Sequence, residues 1–245
     1  MINLIEELLK QKVYTDDTIK EGRYFYNDIP VPRVTEILSK MLHEDYLMTW
    51  ANAIGLYKRQ KYKEVLEKSA EIGTYSHELV EQYIKEQEYD ISQFNINSKA
   101  IYDASINAVE SFKLWYNDVF TYNKVEVLGI EQKLSCPWFG GTYDMLIKIN
   151  GRTYLTDFKT SNHIGYKYAL QLAAYKYMLS LQEITIDGTI ILQLDKKKPS
   201  YTEYIMDFSN GKHFEFINDC TECFLSLVYA YFQRIKVEKQ FKEIF

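Results

Sequence analysis

GGTYDMLIKINGRTYLTDFKT, residues 140–160, consists of two runs rich in β-branched and aromatic residues joined by Asn150-Gly151. Residues 140 to 149 and 152 to 160 are predicted strands, and an Asn-Gly pair between such runs favours a two-residue type I′ turn. That turn sets the register: residue 149 faces 152, and each step outward carries the pairing along until Asp144 stands opposite Asp157. Lys159, two residues on, points to the same face. Cβ atoms across such a pair lie ~5 Å apart, and two carboxylates there repel by roughly 3 kcal/mol at an effective dielectric of ~20. Either one carboxyl is protonated or a cation sits between them. A divalent metal beside a lysine is suited to phosphodiester hydrolysis.

An acidic-x-Lys triplet carries no weight by itself. Chance composition supplies about three in a chain like this, and three occur: Glu131-Gln-Lys133, Asp157-Phe-Lys159 and Asp195-Lys-Lys197. The turn brings a second carboxylate opposite only the one at 157, and the one at 195 falls in a predicted loop before Pro199. The competing account of Asp144, Asp157 and Lys159 is a solvated hairpin face.

Composition sets the outer bounds. A 245-residue chain with 47% hydrophobic content can bury one substantial core, or a core with a helical annex, and no low-complexity linker divides it. One domain over 1–245 is expected: a mainly helical part to about 120, a sheet core over about 121–210 and a closing helix over about 211–245. No run of 18 apolar residues occurs, and the N-terminal MINLIEELLKQKVYTDD mixes both charges, so neither a membrane span nor a signal peptide is expected. Three cysteines fit a reducing compartment better than a disulfide scaffold, so the expected location is the cytoplasm, or the host cytoplasm if the protein is viral. A net charge of −5 argues against a dedicated nucleic-acid coat. It leaves room for an enzyme that holds metal with carboxylates and binds DNA along a local basic track.

Along the chain, residues 22 to 32 read as a short hairpin around Asn27-Asp28, followed by a helix from about 34 to 53. The lysine-rich segment 56 to 70 is amphipathic, Gly73 interrupts it, and Thr74 is a candidate N-cap for a helix from about 75 to 87. A further helix covers about 98 to 118. Strands at about 124 to 134, 140 to 149 and 152 to 160 precede a helix at about 165 to 181, a hairpin at 187 to 194 and 200 to 207, and a helix at about 213 to 238. The expected fold is α/β, a mixed central sheet flanked by helices.

His77 in GTYSHELVEQY, Glu131 in GIEQKL, Asp144 in GGTYD, Asp157 and Lys159 in DFKTS, and Gln171 with Tyr175 in QLAAY are together similar to the RecB-like branch of the PD-(D/E)XK nuclease superfamily, and most resemble its small phage-type exonucleases. The likeness runs from about residue 30, where VPRVTEILSK followed by Trp50 resembles the family's N-terminal helical segment, to about 207. It implies a restriction-endonuclease-like core. Family branches that carry an iron-sulfur cluster use four cysteines, whereas this chain has Cys136, Cys220 and Cys223. Cys220 and Cys223 are i and i+3 on the predicted last helix, a spacing more common for packing than for ligation. No iron-sulfur cluster is expected.

Asp144 and Asp157 are hard oxygen ligands suited to Mg²⁺ or Mn²⁺, and the resemblance implies a further oxygen from the Phe158 carbonyl. Lys159 is placed to orient the attacking water or stabilise charge on the phosphorane, or to act as a counter-charge for the aspartates. Glu131 binds the same metal, binds a second one, or is an exposed strand glutamate. A lone histidine is usually structural, but the resemblance assigns His77 to the metal shell. Gln171 and Tyr175, i and i+4 on one helix face, can reach one phosphate or order Lys159. Three basic sets could track DNA: Lys58, Arg59, Lys61 and Lys63 before His77; Lys167 and Lys176 on the helix of Gln171; and Lys196, Lys197 and Lys198 in the second hairpin turn.

The expected activity is a Mg²⁺- or Mn²⁺-dependent deoxyribonuclease, an exonuclease of phage-type DNA recombination, repair or degradation. The resemblance implies products with a 5′-phosphate and a 3′-hydroxyl, and a single-strand-annealing or other recombination protein as partner. The alternatives are an endonuclease on the same site and a catalytically silent nucleic-acid-binding module.

Overall fold

The computed structural model describes residues 24–42, 45–59 and 61–245, with the backbone alone for 45–50 and Lys58. In chain order the elements are a hairpin of β1 (Tyr24–Tyr26) and β2 (Ile29–Val31); helices α1 (Val34–Met41), α2 (Asp45–Lys58), α3 (Tyr62–Glu86) and α4 (Lys99–Tyr122); strands β3 (Val125–Ser135), β4 (Gly140–Ile149) and β5 (Arg152–Lys159); helix α5 (Tyr166–Leu181); strands β6 (Gly188–Leu194) and β7 (Tyr201–Asp207); and helix α6 (Gly211–Ile244).

Asn150 and Gly151 take φ of 52° and 85°, as a type I′ turn demands. The β4–β5 ladder runs from Ile149↔Arg152 to Met145↔Thr156 in the register derived from the sequence. Asn27 and Asp28 form the same kind of turn, with φ of 48° and 61°, between β1 and β2. The large sheet is ordered β3-β4-β5-β6-β7. All neighbours are antiparallel except β5 and β6, which run parallel because α5 carries the chain back. The architecture is a mixed five-stranded sheet flanked by helices, with a helical region before it.

Alternation along the strands supplies two apolar faces. Leu146, Leu155 and Ile191 join α1, α5 and α6 in one cluster. Met145, Ile147, Phe158, Ile190 and Leu192 join α3 and α4 in the other, around the fully buried Phe112 and Trp115. Each large side chain so enclosed contributes roughly 1.5–3 kcal/mol of transfer free energy.

Three expectations for the helical part are corrected. The helix expected over 34–53 ends at Leu42, which takes an extended conformation, and a separate α2 follows. Gly73 does not interrupt α3, and Thr74 caps nothing: its hydroxyl donates to the Ala70 carbonyl four residues back. Ile72, Ser76, Leu79, Val80 and Tyr83 are buried along one stripe, and that packing outweighs the ~1 kcal/mol cost of one helical glycine. The basic set at 58–63 is not on one helix, because Arg59 at φ 51° separates the end of α2 from α3. Of the expected N-terminal signals, Gly22, Arg23 and the Trp50 side chain lie outside the described residues.

Candidate metal centre

Asp144 and Asp157 occupy the row at which the β4–β5 ladder opens. The last paired residues are Met145 and Thr156. One step further, the Phe158 N–H donates to Asp144 Oδ2 at 2.5 Å instead of to a strand carbonyl. Glu131 lies on the same row of β3, between the pairs Ile130↔Met145 and Gln132↔Tyr143. Its φ of 46° is left-handed within a strand, and the register shifts between Val127 and Gly129 just before it. A bulge of this kind re-aims side chains, and Glu131 faces the histidine of α3. Gln132 and Tyr143 brace the distortion through a 2.6 Å hydrogen bond from the tyrosine hydroxyl. Gly129 leaves room for that hydroxyl, since a Cβ there would stand 2.4 Å from it.

His77 reaches this row from α3. Its Nε2 lies 3.1 Å from the Phe158 carbonyl, and its Nδ1 is 3.5 Å from both Glu131 Oε1 and Asp144 Oδ1. A ring nitrogen donating to a backbone carbonyl directs the other nitrogen's lone pair outward, the arrangement typical of a metal-binding histidine. Ligand atoms of His77, Glu131 and Asp144 all lie within 4.8 Å of one another. One imidazole nitrogen and two carboxylates can hold a metal ion. Beside the triad opens a cleft of about 410 Å³ lined by Gly73, Thr74, His77, Glu78, Glu81 and Glu131.

The structure brings Asp157 and Lys159 next to this triad but gives them to each other. Lys159 Nζ is 2.6 Å from Asp157 Oδ2 and 5.1 Å from the centre of the Tyr168 ring. Phe158 contributes its N–H to Asp144 and its carbonyl to His77. Gln171 Nε2 donates to the Tyr175 hydroxyl at 3.2 Å, both side chains being buried on α5. Tyr175 packs directly on Gly141 of β4, where a Cβ would come within 2.4 Å of the ring.

The charges are interlocked. Burial opposes the charge on His77, but Asp144 and Glu131 more than offset it and raise the imidazole to about 10. Burial also works against ionised Asp144, and its partners His77 and Lys159 still hold that carboxyl below the usual range. Burial pushes Asp157 up to about 6, with the Asp144 charge adding to it and Lys159 only partly compensating. Glu131 is likewise raised by burial and by Asp144. Lys159 stays charged despite its burial because Asp157 and Asp144 surround it. Burial, with the nearby Asp157 charge, keeps the Tyr175 hydroxyl protonated. Without metal, imidazolium and ammonium set two positive charges against the three carboxyl groups of Glu131, Asp144 and Asp157.

The basic candidates lie apart. Lys167 is half-buried in the first turn of α5. Lys176 points into a separate cleft of about 430 Å³ with Arg152 and Phe208, and its ammonium is 3.4 Å from Asn218 Oδ1. Lys196 and Lys197 form the β6–β7 turn. Cys220 and Cys223 lie on α6, and Cys136 is buried before β4. Sequence inspection missed Glu81 and Tyr168. Each had a signal: Glu81 is four residues from His77 on one helix face, and Tyr168 is three from Gln171.

No family model matches the chain, and no curated protein does. Among solved structures, one described as "Crystal structure of SSO0001" aligns over 91% of this chain and 86% of its own at 13% sequence identity, with a TM-score of 0.29. Among the described residues no helix is long and apolar enough to cross a membrane.

Proposed function

We propose that the chain is a Mg²⁺- or Mn²⁺-dependent deoxyribonuclease with a restriction-endonuclease-like core, acting as an exonuclease of phage-type DNA recombination, repair or degradation. The observation that carries this reading is the cluster of His77, Glu131 and Asp144 ligand atoms beside the buried Lys159–Asp157 pair. The resemblance of these motifs to RecB-like nucleases supports it further.

His77, Glu131 and Asp144 would hold the ion, with Asp157 contributing negative charge beside them. A bound divalent ion supplies positive charge at a phosphoryl oxygen and acidifies water. Asp157 fixes the Lys159 ammonium, and the Tyr168 ring helps to hold it, so this cation can stabilise charge that develops on the phosphoryl group. Gln171 and Tyr175 brace the helix that covers the pair. Both carboxylates of the β4–β5 row are buried, which strengthens their interaction with any cation in the site.

The test is digestion of a linear duplex, labelled at either end, alongside a closed circle. Mn²⁺ or Mg²⁺ should support release from the linear ends and leave the circle intact; EDTA should abolish release, and Ca²⁺ should not restore it. Cleavage of the circle would assign an endonuclease on the same site. DNA binding without cleavage of either substrate would assign the silent binding module. Undiminished cleavage after chelation and dialysis would overturn the metal mechanism.

A further inference from the structure

A cleft of about 320 Å³, lined by Ser161, Asn162, Lys196, Lys197, Ser200 and Thr202 among others, opens where β5 and β6 end and β7 begins. Lys159 and Gln193 are register partners on the parallel pair β5–β6. Ser161 stands two residues beyond one and Lys196 three beyond the other, so at ~3.3 Å per residue the cleft begins within about 10 Å of Lys159 along the strands.

The turn that carries the lysines is anchored. The Ser111 hydroxyl on α4 donates to the Asp195 carbonyl at 2.9 Å and accepts from the Ser200 N–H at 2.9 Å. Asn107 Nδ2, also on α4, donates to the Lys196 carbonyl at 3.3 Å. The Asp195 carboxylate is turned into the loop, accepting from the Lys197 N–H at 2.7 Å and the Ser200 hydroxyl at 3.3 Å. Its two oxygens are therefore engaged by a backbone N–H and a hydroxyl. Among the described residues neither Lys196 nor Lys197 has an ion-pair partner. Two adjacent cations on a fixed turn, facing hydroxyls and an amide, form an arrangement that an anionic oxygen group completes.

We infer that this cleft is a subsite for an internal phosphodiester group of the DNA strand being cut, held by Lys196 and Lys197 on a turn that Asn107 and Ser111 keep in place. The inference rests on the nuclease reading and adds to it the path of the strand away from the metal centre. A positioned phosphate contact differs from diffuse attraction in one respect: it depends on the geometry of the turn as well as on its charge.

The experiment measures binding of a fluorescently labelled linear duplex by the whole chain across a salt series, with Ca²⁺ replacing Mg²⁺ so that the strand is not cut, and Mn²⁺ affinity in parallel. In the Lys196→Ala/Lys197→Ala variant the slope of log affinity against log salt should shrink in magnitude by about 1 to 2, with Mn²⁺ affinity unchanged. Asn107→Ala, which alters no charge, should weaken DNA binding by about threefold at unchanged Mn²⁺ affinity, the size expected for one lost hydrogen bond that orders a contact. A double variant with the wild-type slope, or an Asn107→Ala variant with wild-type DNA affinity, overturns the subsite and leaves the nuclease reading in place. A wild-type chain that binds Mn²⁺ but no DNA overturns both.

Discussion

Asp157 carries a charge that the fold opposes. Its carboxyl is 1% exposed, and burial raises it to about 6 even with Lys159 beside it. Since the folded value lies above the unfolded one, the folded state takes up this proton more readily. Ionised Asp157 therefore costs stability, and the cost develops as pH rises from about 4 to about 6 and stays constant above that. Asp157→Asn should leave metal-free stability nearly unchanged at pH 4 and raise it by about 2 to 3 kcal/mol at pH 7.5, as follows from a carboxyl that burial holds at about 6. Urea unfolding at the two pH values checks this; a variant less stable than wild type at pH 7.5 would show that the Lys159 pair outweighs burial. The same substitution should abolish cleavage, because it removes the carboxylate that fixes Lys159. Glu131 stores strain of another kind, a left-handed φ of 46° on a residue with a Cβ. Glu131→Gly should be about 1 kcal/mol more stable than Glu131→Ala without metal, while both lose Mn²⁺ affinity. Equal stabilities would mean that the bulge relaxes once the carboxylate is gone. The β4–β5 register up to Met145↔Thr156, the pair next to Asp144 and Asp157, was legible in the sequence because an Asn-Gly turn favours one register. The division of labour was not: Asp144 turns toward His77 and Asp157 toward Lys159 because of burial and of α3, neither of which a hairpin encodes.

At the scale of elements, helix α3 shows where local signals fail. Gly73-Thr74 has the look of a helix boundary, yet the chain continues helically through both residues, because Ile72 and Ser76 are buried on either side and Leu79, Val80 and Tyr83 pack with α4 and the sheet. A side chain at Gly73 would meet nothing closer than Thr160 Oγ1 at 3.9 Å. Gly73→Ala should therefore stabilise the fold by about 0.5–1 kcal/mol, the helical cost of the glycine. A thermal melt that moves downward instead would mean that the close approach of α3 to the end of β5 needs the glycine. The strands were read to within a residue or so because turns punctuate them: Asn150-Gly151 before β5, and the Lys196–Pro199 segment before β7. The helical part lacked such punctuation. Its break at Leu42 and its continuity through Gly73 are decided by which faces find apolar partners, and that information lies in contacts far apart in the chain. The bulge before Glu131 was hidden for the same reason, although Gly129 inside a strand pattern was the available clue.

Over the whole molecule, metal, proton and fold are linked through His77. Without metal, burial opposes the His77 proton, but Asp144 and Glu131 hold it, raising the group to about 10. Because this folded value lies above the unfolded one, the stabilisation from the His77 proton is fully present below about pH 6.5 and is lost as pH rises toward 10. A metal ion at Nδ1 takes the place of that proton, so binding should release about one proton and the apparent affinity should rise about tenfold per pH unit between pH 6.5 and 8.5. The metal-bound fold does not depend on the proton, and its advantage over the metal-free fold therefore widens with pH. At an Mn²⁺ concentration of about 100 times the dissociation constant, binding adds roughly 2.7 kcal/mol, or about 5–10 °C in melting temperature for a chain of this size. At a fixed Mn²⁺ concentration the shift should be small at pH 6.5 and should grow toward pH 8.5. Titration calorimetry in buffers of different ionisation enthalpy counts the released proton, and His77→Ala should retain weak binding with that pH dependence removed. A melting shift independent of pH in the wild type would take His77 out of the metal shell and leave it as the counter-charge that Asp144 and Glu131 hold in the metal-free fold.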